Sequence, residues 1–294
     1  MKHLPEKYQP IKHLPDLTSI TKDEILDLIK LGIDIKHHPG KFKRALSQKS
    51  MAMWFEKPSL RTRVSYEAAM TQLGGHAIYL DPANTHAKKA KIEDEIKCIS
   101  KFVDVIIGRV YEQETIHKMI SSSEVPVINA LCNKHHPCQA LADLMTVFEV
   151  FEKPSAITIA YVGDGNNVCN SLINGAKTIG IRIQVATPTD LKPDYEADLW
   201  TKDPCEAVKG ADIVYTDTWV SMGNESGAES YINKLKKYQV NKKLIENKYF
   251  MHCLPAIRGQ EVTDEVIDSE KSLVFRQAEN RLHVQKAILV KLMK

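Results

Sequence analysis

Met51-Ala-Met-Trp-Phe-Glu-Lys-Pro-Ser-Leu-Arg-Thr-Arg63 contains a strand, a turn and a helix start in one short stretch. The apolar run Met51–Phe55 reads as a buried strand, and Lys57-Pro-Ser59 ends it. Ser59 stands where a helix N-cap belongs. A helical pattern then runs over Arg61–Leu73, with an apolar face expected through Val64, Ala68 and Leu73, and Gly74 supplies the stop. A strand that feeds a helix instead of a hairpin is half of a βαβ unit, which predicts a parallel sheet.

The same alternation recurs along the chain. Strand-like runs lie at Ala77–Leu80, Val103–Gly108 and Val127–Leu131, then at Ile157–Val162, Ile183–Ala186, Ile213–Thr216, Tyr249–His252 and Leu273–Phe275. Helical patterns cover Lys22–Lys36, Ile92–Phe102, Gln139–Phe151, Val168–Ile179 and Asn280–Leu292. This is an α/β chain with two doubly wound parallel-sheet domains, of about four strands and then five. Lys153-Pro-Ser155 is the expected hinge, because proline cannot continue the preceding helix. The expected domains are therefore 1–152 and 153–278, followed by a last helix without a partner strand.

Bulk properties exclude several function classes. Lys and Arg number 40 against 37 Asp and Glu, and the basic residues are spread along the chain, so neither a nucleic-acid surface nor an anionic membrane is expected as partner. No apolar run approaches the roughly 20 residues that span a bilayer. The N-terminal Met1-Lys-His-Leu-Pro-Glu-Lys7 has no apolar signal core. Six cysteines without a Cys-x-x-Cys pair read as reduced thiols, so a cytoplasmic protein is expected.

Polar residues that invite chemistry sit repeatedly just after a predicted strand. They are Ser59-Leu-Arg-Thr-Arg63, Arg109, His135-His136, Asn166-Asn167, Asp217 and His252-Cys253. Ligands of open parallel sheets bind beyond the carboxyl ends of the strands, so these positions predict one cleft between the two domains. Ser59, Arg61 and Thr62 at a helix start, with free N–H groups and the positive dipole end, make an anion site suited to phosphate. Solvated arginines beside a capped helix are the plainer reading of the same residues.

His135-His136-Pro-Cys138 invites a metal assignment, but adjacent histidines on an extended segment face opposite ways and no second ligand cluster completes a site. An orienting or oxyanion-stabilising imidazole, or a plain capping residue, fits better. Gly163-Asp-Gly-Asn-Asn-Val168 follows a strand and opens a helix, yet Val168 replaces the third small residue of a dinucleotide fingerprint. Asn166 and Asn167 there offer amide groups to a small polar molecule.

Together these segments resemble the aspartate/ornithine carbamoyltransferase family, and within it the enzymes acting on ornithine. The resemblance rests on Phe55-Glu-Lys-Pro-Ser-Leu-Arg-Thr-Arg-Val-Ser65, His136-Pro-Cys-Gln139 with Leu141-Ala-Asp143, and Gly163-Asp-Gly-Asn-Asn167 with Asn170-Ser-Leu172. It continues through Asp217-Thr-Trp-Val-Ser-Met-Gly223, His252-Cys-Leu-Pro-Ala256 and Gln277-Ala-Glu-Asn-Arg-Leu-His283, in family order over nearly the whole length.

The resemblance implies transfer of the carbamoyl group of carbamoyl phosphate to the δ-amine of L-ornithine, giving L-citrulline and phosphate. It implies that Ser59, Leu60, Arg61 and Thr62 hold the phosphate. Arg109, His136, Gln139 and Arg281 would surround the carbamoyl end, with Cys253 and Leu254 closing the pocket. Asn167, Asp217, Ser221 and Met222 would bind ornithine, and Arg109, His136, Asp217 and Cys253 would carry the catalysis. Neither metal nor organic cofactor is required. The last helix, about 279–294, would return to the first domain, and a homotrimer is the implied assembly.

The chain departs from the family in Leu80-Asp-Pro-Ala-Asn-Thr-His-Ala-Lys-Lys-Ala-Lys91. A glutamine that reaches carbamoyl phosphate across the subunit interface is missing there. Thr85 takes its place by position, with His86 or Lys88 as substitutes. Leu60 also replaces the usual threonine, a small change if that position acts through its backbone N–H. The stretch leaves a carbamoyltransferase of N-acylated ornithine, or of another amine, as the alternative acceptor class. A ligand-binding relative without turnover is the alternative outside catalysis. Asp217 favours a free ammonium over an amide.

Overall fold

The computed structural model describes residues 11–85, 89–220 and 228–293. Nine strands are assigned among them: β1 Ser50–Phe55, β2 His76–Leu80, β3 Val105–Arg109, β4 Val127–Leu131, β5 Thr158–Val162, β6 Arg182–Ala186, β7 Leu199–Thr201, β8 Ile213–Thr216 and β9 Tyr249–His252. They form two sheets, ordered β2-β1-β3-β4 and β7-β6-β5-β8-β9, and every pairing is parallel.

The helices are α1 Lys22–His37, α2 Leu60–Gln72, α3 Ile92–Ile99, α4 Gln113–Ser122, α5 Pro137–Val150 and α6 Asn167–Ile179. The remainder are α7 Pro204–Val208, α8 Ala228–Leu235, α9 Lys242–Ile245, α10 Asp264–Ile267 and α11 Val274–Leu292. None of the helices in the described residues is long and apolar enough to cross a membrane.

Local code sets several of the boundaries. Thr21 and Glu24 form a reciprocal capping box at α1. The Ser59 hydroxyl accepts from the Thr62 N–H at α2, and Gly74 closes that helix at φ +86°. Pro137 opens α5, and Asn166 caps α6, which ends on the left-handed Gly180. The buried face of α2 is Thr62, Tyr66, Ala69, Met70 and Leu73. Val64, expected on that face, is 56% exposed, because the helix turns it outward beside Leu60.

The layers meet through α5, which is buried from Pro137 to Val147 and packs on α6 of the second half. One apolar core runs through that contact and includes Ile107 and Ile128 of the first sheet with Ile159 and Tyr161 of the second. The last helix returns as expected, with α11 lying against α1, α2 and α5.

Its start differs from the sequence expectation. Leu273–Phe275 is not a strand. Phe250 accepts from the Leu273 N–H at 2.8 Å and makes a single bridge with Ser272, after which the chain turns at once into α11. The fifth strand of the second sheet is instead β7, three half-buried residues too short to stand out. The 278/279 boundary falls inside the continuous α11. Val274 packs in a core of the second domain, whereas Val284 and Ile288 pack in the core shared with the first.

Candidate active site

All six polar segments predicted at strand ends converge. Arg109 is the last residue of β3, and the chain after β1, β4, β5, β8 and β9 brings Ser59, His136, Asn167, Asp217 and Cys253 to the same cleft. Its cavity of about 410 Å³ is lined from both domains and suits a pair of small substrates. Thr62, Gln139, Leu254 and Arg281 also line it.

Between the domains, residues 132–136 form the tie. The Asn167 amide donates to the Cys132 carbonyl at 2.6 Å, and the Ser171 hydroxyl accepts from the His136 N–H at 2.7 Å. Lys134 pairs with Asp194 at 2.9 Å, and the Asp194 backbone N–H donates to the Asn170 side chain. His135 and His136 face different surroundings, as expected: His135 lies against Tyr195, His136 against Arg281.

One end of the cavity is cationic. Arg281 donates to Thr62 Oγ1 at 2.9 Å and to Gln139 Oε1, and its Nη1 lies 3.5 Å from His136 Nε2. Because a guanidinium has no acceptor, His136 Nε2 must accept there, which leaves the proton on Nδ1. Burial, then Arg281 and Arg109, hold this imidazole well below its ordinary value, so it is neutral. Burial, then Arg281 and Arg61, bring the Arg109 guanidinium down to about 10. His136 Nδ1, Arg109 Nε and Arg281 Nε are buried without a protein partner. Buried donors are normally satisfied, so this set is prepared for an anion or a carbonyl oxygen. Lys57, to which the sequence reading gave no role, adds a fourth cation at the rim, over the Tyr111 ring at 4.6 Å.

Behind this end lies a group the sequence reading missed. Gln139 Nε2 and Gln277 Nε2 both donate to Asp143 Oδ1 at 2.7 Å, and Tyr215 donates to Oδ2 at 3.1 Å. Burial pushes the Asp143 carboxyl up to about 7, against the pull of those three donors and Arg281. Gln139 thus has both ends engaged, on Arg281 and Asp143, and steadies the arginine. A charged residue in the apolar stripe of α5 was the signal that could have found Asp143.

The other end is anionic. Asp217 Oδ1 accepts from the Thr218 N–H at 2.7 Å and from the Cys253 thiol at 2.8 Å, and Oδ2 accepts from Asn166 Nδ2 at 2.8 Å. Burial, then Asp217, push the Cys253 thiol well above its ordinary value, so it is a donor and not a thiolate. Asp164 also lines the cavity, its carboxyl raised to about 7 by burial and eased by a hydrogen bond with Tyr231.

Ligand-type atoms of Asp217, His252 and Cys253 lie within 4.8 Å of one another. Each has a protein partner, however: His252 Nδ1 accepts from the Leu254 N–H at 2.9 Å, and the thiol is bound to Asp217. Leu254 itself sits at φ +58° before a cis proline.

The glycines of Gly163-Asp-Gly165 serve the turn. Gly163 has φ +134°, and a Cβ on Gly165 would lie 2.4 Å from the Leu191 carbonyl oxygen. Leu60, between Ser59 and Arg61, is 76% exposed. Thr85 is exposed, with its hydroxyl donating to the Pro82 carbonyl at 3.2 Å. Ser221, Met222, His86 and Lys88 lie outside the described residues.

Two family models match the chain. Residues 12–149 match the carbamoyl-P binding domain of aspartate/ornithine carbamoyltransferase, and residues 155–292 match its Asp/Orn binding domain. The ornithine carbamoyltransferase of Methanocaldococcus jannaschii is 43% identical over 94% of this chain and 97% of its own length. That of Archaeoglobus fulgidus is 44% identical over 96% and 98%. The solved ornithine carbamoyltransferase of Pyrococcus furiosus superposes with a TM-score of 0.91 at 41% identity, covering 97% of this chain and 99% of that one.

Proposed function

The chain belongs to the aspartate/ornithine carbamoyltransferase family, and from that membership we infer that it transfers the carbamoyl group of carbamoyl phosphate to the δ-amine of L-ornithine. The products are L-citrulline and phosphate. The observation that carries the reading is the polarity of the cleft, with arginines and unpartnered donors at one end and, at the other, Asp217 with no cation beside it among the described residues.

The N-terminus of α2, with Ser59, Arg61 and Thr62, receives the phosphate, and Leu60 contributes its backbone N–H. Arg109 and His136 Nδ1–H face the carbonyl oxygen and stabilise the oxyanion formed when the amine attacks. Arg281, steadied by Gln139, shares that charge. Leu254, whose N–H is engaged by His252, presents its carbonyl to the carbamoyl NH₂. An alkyl ammonium with a pKa of about 10.4 is almost fully protonated at neutral pH, so the site must favour the free amine. Asp217, oriented by Cys253, holds the ornithine ammonium and accepts the proton shed before attack. The new C–N bond forms at the carbonyl carbon, the C–O bond to phosphate breaks, and one of the two remaining amine protons leaves with phosphate, the other staying on the citrulline δ-nitrogen.

Asn167 Oδ1, Ser221 and Met222 complete the ornithine site in this reading. Its wider setting is a cytoplasmic homotrimer, supported by the free thiols and by the exposed apolar side chains of Leu60, Val64 and Ile78. Relatives named as anabolic and as catabolic enzymes are similar at 44% and 40% identity, so likeness does not choose a direction.

The test is citrulline formation from carbamoyl phosphate and ornithine, run beside N-acetylornithine, putrescine and aspartate. Turnover with ornithine alone is expected. Turnover only with the acylated amine would overturn the role of Asp217, and none with any acceptor would leave a binding protein.

A further inference from the structure

We propose that Asn166 is the positioning residue of the acceptor site, capping α6 with one end of its amide and aiming the Asp217 carboxylate with the other. The proposal rests on the ornithine reading above and names a residue to which that reading gives no role.

The geometry leaves the Asn166 side chain one orientation. Its Oδ1 accepts from the backbone N–H groups of Val168 at 2.9 Å and Cys169 at 3.2 Å, and from the Tyr161 hydroxyl at 3.3 Å. An amide nitrogen cannot accept those bonds, so the cap decides which end is oxygen. Nδ2 is thereby turned to Asp217 Oδ2 at 2.8 Å. Both ends of the amide are thus held, the oxygen on the cap and one N–H on Asp217, and the second N–H is left on the cavity side. The other carboxylate oxygen is held from two further sides by Thr218 N–H and the Cys253 thiol. Three donors from three strand ends therefore fix the plane of one carboxylate. No cation pairs with it among the described residues, and its remaining lone pair, on Oδ2, is left for an ammonium.

A cap alone would tolerate any good cap residue. Ser and Asp both cap well, but Ser lacks the second donor and Asp sets a carboxylate against Asp217. Wild-type turnover decides the ornithine reading, and the variants decide the role of Asn166. For Asn166→Ser, kcat/KM for ornithine is expected to fall about 10- to 100-fold, with carbamoyl phosphate affinity by calorimetry changed less than about twofold. Asn166→Asp is expected to fall further, because it sets a second carboxylate against Asp217. Both should melt near the wild-type temperature, and Asn166→Asp carries the test if the serine variant folds poorly. In an Asp217→Ala background, Asn166→Ser should cost less than about twofold more, because it acts through the missing carboxylate.

Ornithine kinetics within twofold of wild type in both capped variants would overturn the proposal. So would an undiminished loss in the Asp217→Ala background, or a parallel loss of carbamoyl phosphate affinity.

Discussion

At the first-domain end of the cleft, Arg61, Arg109 and Arg281 crowd together and none has an ion-pair partner among the described residues, whereas at the second-domain end Asp217 is surrounded by hydrogen-bond donors and no cation. The cationic end keeps donors open: His136 Nδ1, Arg109 Nε and Arg281 Nε are buried and unmatched. At the anionic end the amide of Asn166 and the thiol of Cys253 are both engaged on one carboxylate. Each end carries uncompensated charge of one sign, so each is completed by a substrate of the other sign. The difference is that the cationic end binds through many donors, and the anionic end through the orientation of a single group. Losses at the first should therefore reach both binding and the transition state, and losses at the second should fall on ornithine alone.

The largest effect is expected from Arg109→Ala. In the proposed mechanism it removes a charge facing the developing oxyanion, and kcat should fall on the order of 10²–10³-fold, with carbamoyl phosphate affinity also weakened. Steady-state kinetics in both substrates would test this. A loss below tenfold, or one confined to ornithine, would break the comparison at its cationic end.

Asp217→Asn is next. The amide keeps the shape and removes the charge, so kcat/KM for ornithine should drop about 100-fold, in line with loss of a charged hydrogen bond. Carbamoyl phosphate should bind as before in calorimetry. Equal weakening of both substrates would mean that the two ends are not separate.

How far these ends were legible in the sequence follows the range of the interactions. The α2 start was readable because Ser59 and Gly74 bracket the helix by short-range rules. Its buried face was not, since Val64 and Tyr66 differ in burial only through the packing of α2 on α11. Leu273–Phe275 has the apolar character of a strand, yet it opens α11, and the single bridge to Phe250 falls on Ser272. The residues that line the cleft were legible at strand ends, where a parallel sheet must place them. Their partners were not found, because Asn166 meets Asp217 at a separation of 51 residues and Gln277 meets Asp143 at 134. No local pattern encodes those contacts.

Asp143 sharpens the comparison from behind the cationic end. Its carboxyl lies near 3.8 when unfolded and is pushed to about 7 by burial in the fold. Between those values the native chain holds a proton that the unfolded chain has lost. Stability must fall as pH rises through this window and level off above about 7. Asp143→Asn abolishes the term, so the variant should gain on the wild type by roughly 2 kcal/mol between pH 5 and pH 8. Urea unfolding at both pH values would measure it. A stability difference that stays constant with pH would mean that Asp143 is ionised in the fold.

The smallest effect belongs to Leu60, the residue that departs from the family threonine inside the phosphate-binding turn. Its side chain is 76% exposed, so in the proposed site it would meet phosphate through the N–H at the first helical position, which every residue but proline supplies. Leu60→Thr should therefore change the KM for carbamoyl phosphate by less than about threefold, an effect the size of an ordinary surface substitution. Leu60→Pro removes that N–H while proline is still tolerated at this helix position, and it should raise the same KM by about tenfold, the value of one charge-assisted hydrogen bond. A proline variant that binds carbamoyl phosphate as tightly as the threonine variant would show that the backbone at Leu60 does not touch the phosphate. The cationic end would then rest on its side chains alone.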